Sequence, residues 1–282
     1  MEISEQDADE NAIRALLAWY ADMGVEEAVG TVPADYYAWE GTSSAEPSAS
    51  APRPRARAVI RDEPAAKPVF RPTPQTETLS ADEAINAAEK AAAACNTFQE
   101  LEAAVHAFDG CPLKAGASKT VFYDGVPEAD LLIIGEAPGR DEDRIGKPFV
   151  GRAGQLLDRM LAAIGRSRTE NVLITNVIYW RPPGNRTPTQ METAVCRPFV
   201  DRLIELTAPK VVVLAGGAPM QAMLAITGIM RARGVWREIE TTSGTKIPAL
   251  PIFHPAFLLR QPANKRLAWA DLQTLEARLR ES

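Results

Sequence analysis

The rhythm of hydrophobic and polar positions changes three times along this chain. Residues 11–29 carry Ile13, Leu16, Leu17, Tyr20 and Met23 at helical spacing, which predicts an amphipathic helix. Such a helix serves either as a cap on the main domain or as a dock for a partner protein. Between about 34 and 79 the periodicity vanishes. Pro, Ala, Ser, Thr and Arg dominate there, with Pro47, Pro52, Pro54, Pro64, Pro68, Pro72 and Pro74, the composition of an extended or disordered linker. Ser80 with Glu83 three residues on has the spacing of a capping box. It predicts a helix to about Cys95, and a second helix follows over 97–107.

From Cys111 onward the pattern is strand, loop, helix, repeated. Short apolar runs at 120–122, 131–134, 172–175, 211–214 and 247–253 predict strands. Helical runs follow at 154–164, 190–206, 218–226 and 263–280. Such alternation predicts a three-layer α/β/α fold around a central, mainly parallel sheet. The expected organisation is an N-terminal helix over 1–33, a linker over 34–79 and one α/β domain over 80–282, with a helical lead-in at 80–107. No internal repeat is visible.

Charge sharpens this division. The chain carries a formal net charge of −6. Residues 1–104 hold 8 Lys and Arg against 19 Asp and Glu, and residues 105–282 hold 23 against 18. An acidic front and a basic back suit a second part that meets a polyanion. Three cysteines, Cys95, Cys111 and Cys196, are too few and odd in number for a secreted disulfide scaffold. No basic, apolar leader opens the chain, and no apolar run reaches the length of a membrane span. A cytoplasmic protein is expected.

The chemistry concentrates in three turns at predicted strand ends, where open α/β sheets place their ligand crevice. The first turn runs Gly135-Glu136-Ala137-Pro138-Gly139-Arg140-Asp141-Glu142-Asp143 and leads to Pro148-Phe149-Val150-Gly151. It reads as a crowded acidic loop. The second starts at Asn176 and continues through Arg181-Pro182-Pro183-Gly184-Asn185-Arg186. The Asn176 amide suits either a turn cap or the edge of a nucleobase. The third is His254-Pro255-Ala256-Phe257-Leu258-Leu259-Arg260. Leu258 and Leu259 suit either core packing or a wedge into a duplex, with Arg260 on a phosphate.

In order and combination these motifs resemble the uracil-DNA glycosylases of the family 4 branch, over residues from about 109 to 280. The N-terminal helix and linker are similar to extensions of bacterial members. The resemblance implies a base excision repair enzyme that binds uracil-containing DNA and draws the uracil out of the stack. It implies a nucleoid-associated monomer. Gly135, Ala137, Phe149, Asn176 and Asn185 would form the base pocket. Phe149 stacks on the ring, and Asn176 reads the O4 and N3 edge against cytosine. Ala137 stands where the uracil-specific archetype has an aspartate. His254 donates to O2 as the bond breaks, while Glu136 and Glu142 hold the water and stabilise the sugar cation, their shares left open. Asn185 orders the water or meets the backbone. Arg186, Leu258, Leu259 and Arg260 bind DNA.

Members of this branch usually carry a four-iron cluster on four cysteines. Here Cys111 and Cys196 stand at two of those positions, and Phe108 and Trp180 at the other two. The expectation is therefore no cofactor, with the aromatics in the cluster's space. A related branch that traps uracil-DNA covalently uses a histidine in an inserted loop, absent between Asn176 and Trp180. Two alternatives stay open: a non-catalytic uracil- or DNA-binding protein tethered through residues 11–29, and hydrolysis of another deaminated base such as hypoxanthine.

Overall fold

The chain divides into two units, residues 1–73 and 74–282. The computed structural model describes residues 80–281, within the second unit. The helix expected over 11–29 and the linker over 34–79 lie outside the described residues.

Two helices lead in: α1 (Ala81–Ala93) and α2 (Phe98–Ala107). Each starts on a capping box, Ser80 with Glu83 and Thr97 with Glu100, which satisfies amide groups that the first turn leaves unpaired. The sheet comprises β1 (Tyr123–Gly125), β2 (Leu131–Gly135), β3 (Val172–Asn176), β4 (Val211–Ala215), β5 (Arg237–Glu240) and β6 (Lys246–Ile252). Its spatial order is β1-β3-β2-β4-β6-β5. The four inner strands are parallel, and β1 and β5 are antiparallel edges.

Strands β2, β3 and β4 are buried on both faces, which is why they read as continuous apolar runs rather than alternating ones. Side chains still alternate between two cores. Leu132, Ile134, Leu173, Val212 and Leu214 face the core beneath α1, α2 and α5 (Gln190–Thr207). Leu131, Ile133, Val172, Ile174, Val211 and Val213 face the core beneath α4 (Arg152–Ala162), α8 (Pro255–Arg260) and α9 (Lys265–Glu281). Three layers follow from that alternation. The remaining helices among the described residues are α3 (Arg140–Ile145), α6 (Gly217–Leu224) and α7 (Ile229–Ala232).

The chain passes from β2 to β3 on one side, then crosses back to β4 on the other. A reversal of this kind opens a crevice at the carboxyl ends of the strands. The turns after β2, β3 and β6 all lie at that edge.

Several local expectations shift. The first strand is Tyr123–Gly125, not 120–122, because Val121 and Phe122 are buried in packing while Tyr123 pairs with Thr175. Val121 donates only one amide, to Tyr179 O at 2.8 Å. The acidic loop after Gly139 is a helical turn, α3, with Asp141, Glu142 and Asp143 at its positive end. The helix expected over 218–226 stops at Leu224, where Ala225 takes a left-handed φ of 56°. Strand β5 was not expected, since only Ile239 on it is buried, too little for a periodic signal.

Candidate functional site

Gly135 ends β2 and Asn176 ends β3, and the two are register partners. A Cβ on Gly135 would lie 2.4 Å from Asn176 Oδ1 and 2.5 Å from Phe149 Cε2. Glycine is therefore what lets the two side chains meet over the strand end. Asn176 is 2% exposed, and among the described residues no protein group hydrogen-bonds its side-chain amide. Its polar atoms are not sealed in, since among the described residues Tyr179 Oη is the fully enclosed side-chain polar atom left without a partner, so the amide is open to the edge of a ligand.

Phe149 adopts a φ of 52°, a left-handed conformation that costs a bulky residue about 1–3 kcal/mol. Three contacts hold it there. Glu142 Oε1 accepts from the amides of Val150 and Gly151, both at 3.0 Å. Arg168 donates to Phe149 O at 2.9 Å and to Pro148 O at 3.2 Å. Helix α4 closes in behind, where a Cβ on Gly154 would overlap Phe149 O. The second oxygen of Glu142 accepts from Gly139 N at 3.1 Å. Both Glu142 oxygens are thus committed to backbone. Glu136 differs. No hydrogen bond or ion pair engages its carboxylate among the described residues, and burial raises its pKa above the ordinary value.

His254 caps α8, accepting from Ala256 N through Nδ1 at 3.1 Å. An accepting Nδ1 leaves the proton on Nε2. Burial, then the Arg260 charge, lower this imidazole to about 4, against an opposing pull from Glu142. At neutral pH it is an uncharged donor. Its ring stacks on Phe149, with centroids 5.5 Å apart and planes 27° apart. Gly216, at the end of β4 with φ 114°, makes room, since a Cβ there would sit 3.1 Å from His254 Cβ.

A cavity of about 500 Å³ gathers these groups. Glu136, Glu142, Phe149, Asn176 and His254 line it, with Ala137, Asn185, Arg186 and Arg260 at its wall. Gly135 lies beneath. A second cavity of about 400 Å³ adjoins it and shares Glu136.

Three expected residues sit differently. Leu258 is 1% exposed and packs in the core of the α4, α8 and α9 layer, so it is no wedge as it stands. The cause is helical spacing: Pro255 and Leu258 share the inward face of α8. Half-buried Leu259 is the member of the pair nearer solvent. The Arg186 guanidinium is engaged by Glu192 at 2.9 and 2.6 Å. Asn185 Oδ1 accepts from Arg181 Nε at 2.7 Å.

A family model for the uracil DNA glycosylase superfamily matches residues 122–273, more than half of the chain. The chain belongs to that superfamily. The Type-4 uracil-DNA glycosylase of Archaeoglobus fulgidus is 43% identical over 152 residues, 51% of this chain and 75% of its own length. The Type-4 uracil-DNA glycosylase of Thermotoga maritima is 38% identical over 167 residues, 58% of this chain and 84% of its own length. A DNA polymerase of Bacillus phage SP01 is 30% identical over 167 residues, but only 18% of that protein is covered.

Within this superfamily the branch's iron–sulfur site can be tested on the residues present. Cys111 and Cys196 are buried neighbours, and Cys196 hydrogen-bonds Cys111, which lowers the Cys111 thiol and pushes Cys196 up. The two other expected positions hold packed aromatics. The rings of Phe108 and Trp180 have centroids 6.5 Å apart, and Phe108 lies 5.0 Å from Phe199. Trp180 Nε1 donates to Thr120 Oγ1 at 3.0 Å. Two thiols among apolar rings do not supply four thiolate ligands. Among the described residues no group of three or more His, Cys, Asp or Glu is placed to hold a metal ion, and no helix is long and apolar enough to cross a membrane.

Arg168 is the residue that sequence reasoning missed. It lies in an unremarkable turn before β3, and its only local signal is an arginine next to a strand that leads to Asn176.

Proposed function

We infer that this glycosylase-superfamily protein repairs DNA by hydrolysing the N-glycosidic bond of uracil, leaving an abasic site. One observation carries the reading: in a chain of this superfamily, Glu136, Phe149, Asn176 and His254 open onto one cavity. The names of the Archaeoglobus and Thermotoga relatives support it.

The base must leave the duplex to reach such a cavity. Phe149 offers an apolar face to the ring. The Asn176 amide donates to O4 and accepts from N3–H of uracil. Cytosine reverses both partners, leaving a buried amide unsatisfied, which is the stronger form of discrimination. As the C1′–N1 bond breaks, its electron pair leaves with the base and spreads to O2. His254 Nε2–H donates there. A neutral donor fixed in a desolvated site favours the charge that develops in the transition state over the uncharged ground state.

Water then adds to C1′ of the sugar cation. Among the described residues Glu136 is the carboxylate at the cavity with no partner, so it faces the cation and takes the proton from water. Its raised pKa makes it a better acceptor. Glu142 acts one step removed, holding the turn that carries Phe149. Leu259 fills the space the base vacates, and Arg260 meets a phosphate. Aromatic packing around Phe108 and Trp180 takes the place of an iron–sulfur cluster.

The test is incubation with a uracil-containing oligonucleotide, followed by alkaline cleavage. Strand scission at the uracil position is expected. Tight binding without abasic sites would overturn hydrolysis in favour of a binding protein.

A further inference from the structure

We propose that Arg168 is a positioning residue for base recognition, acting through the strained turn that presents Phe149. The proposal rests on the reading of Phe149 as the surface on which the base stacks.

The Arg168 side chain is 14% exposed, and its whole guanidinium is used. Nε donates to Asp158 Oδ1 at 2.8 Å, and Nη2 lies 2.7 Å from the same oxygen. Nη1 reaches Asp124 Oδ2 at 2.9 Å. The remaining donors go to the carbonyls of Pro148 and Phe149. Asp124 lies on edge strand β1, Asp158 on α4, and Lys147 ties the other Asp124 oxygen at 2.9 Å. One planar fork therefore ties the sheet edge and a helix to two successive carbonyls. A left-handed Phe149 persists only when its surroundings over-determine it. Glu142 fixes the amides that follow Phe149, and Arg168 fixes the carbonyls on and before it.

Lysine cannot replace this. It carries a single ammonium on a flexible stem and cannot span two carboxylates and two carbonyls. With the clamp gone, the Phe149 turn is free to relax toward an ordinary φ, and the ring leaves its place against Gly135 and His254. A misplacement of about 1 Å from a remote change costs up to roughly 100-fold in rate.

The experiment compares wild type, Arg168→Lys, Phe149→Ala and the double variant by kcat and KM on a uracil-containing single-stranded oligonucleotide, below every melting temperature. Arg168→Lys should lower kcat by about 10- to 100-fold with KM for DNA little changed, since the residue lies away from the DNA-facing wall. In the Phe149→Ala background the same change should cost less than about twofold, because both act through one ring. Unchanged kcat in Arg168→Lys, or losses that multiply in the double variant, would overturn the proposal. Should Arg168→Lys not melt cooperatively, Asp158→Asn carries the same cycle. A kcat loss that disappears with Phe149→Ala then supports the clamp, and an unchanged kcat or a persisting loss overturns it. An inert wild type would bring down the glycosylase reading and this inference with it. An active wild type with an unaffected Arg168→Lys brings down only the clamp.

Discussion

Gly135→Ala adds one methyl group between Asn176 and Phe149, the two side chains proposed to recognise the base. The added carbon would lie 2.4 Å from Asn176 Oδ1, and 2.5 and 2.7 Å from two carbons of the Phe149 ring. Ordinary contacts between such atoms are about 3.5–4.0 Å, so something must move by roughly 1 Å. Neither neighbour moves freely. Asn176 is fixed by the β2–β3 ladder, and Phe149 by a turn clamped on both sides. Overpacking of this kind costs about 1–3 kcal/mol of stability, or roughly 2–12 °C in melting temperature for a domain of this size. Loss of placement should cost activity far more, about 100-fold in kcat/KM, equivalent to about 2.7 kcal/mol of transition-state stabilisation. The assay is uracil release from an oligonucleotide at a temperature where circular dichroism shows the variant folded. A lowered melting temperature with kcat/KM within about threefold of wild type would refute the reasoning. The base would then sit elsewhere than between Phe149 and Asn176.

Four further outcomes are expected. His254→Ala and Asn176→Ala should each lower turnover at least about tenfold in protein that remains folded, as loss of a transition-state donor or an edge-reading amide does; circular dichroism and single-turnover kinetics check both. If Glu136 acts as the proposed carboxylate base, the rate should fall with decreasing pH on a limb above the ordinary glutamate value of 4.5, because burial raises its pKa; Glu136→Gln should flatten that limb in a pH–rate profile. His254 adds a stability effect of known sign. Its pKa is about 4 folded against an ordinary 6.5, so the unfolded chain takes the proton first. Stability contributed by the neutral imidazole is intact above 6.5 and is lost as pH falls toward 4, by up to about 3 kcal/mol. Urea melts of wild type and His254→Gln across that range measure it. The purified protein should be colourless; a visible iron–sulfur band with about four irons per chain would refute replacement of the cluster by aromatics.

Much of this was legible along the chain because the information is local. The capping box at Ser80 acts within one turn, and a doubly buried strand such as Leu131–Gly135 shows as an unbroken apolar run. Edge elements were harder. Strand β5 exposes most of its side chains, and Phe122 is apolar for packing rather than pairing. The motif residues could be read along the chain, but not which carboxylate the backbone engages. Glu136 and Glu142 look alike in the sequence, yet three backbone amides occupy Glu142 and, among the described residues, none engages Glu136.

Periodicity and motif order were enough for the three-layer α/β plan and the superfamily, because each depends on neighbours in the chain or on short spacings. Folding alone settled partnership: Leu258 turned inward, Arg186 was taken by Glu192, His254 was left neutral with its proton on Nε2, and Arg168 was brought to the carbonyls of Pro148 and Phe149. Those outcomes rest on contacts between elements distant in sequence and on the desolvation that packing imposes, and neither is written in any single stretch of residues.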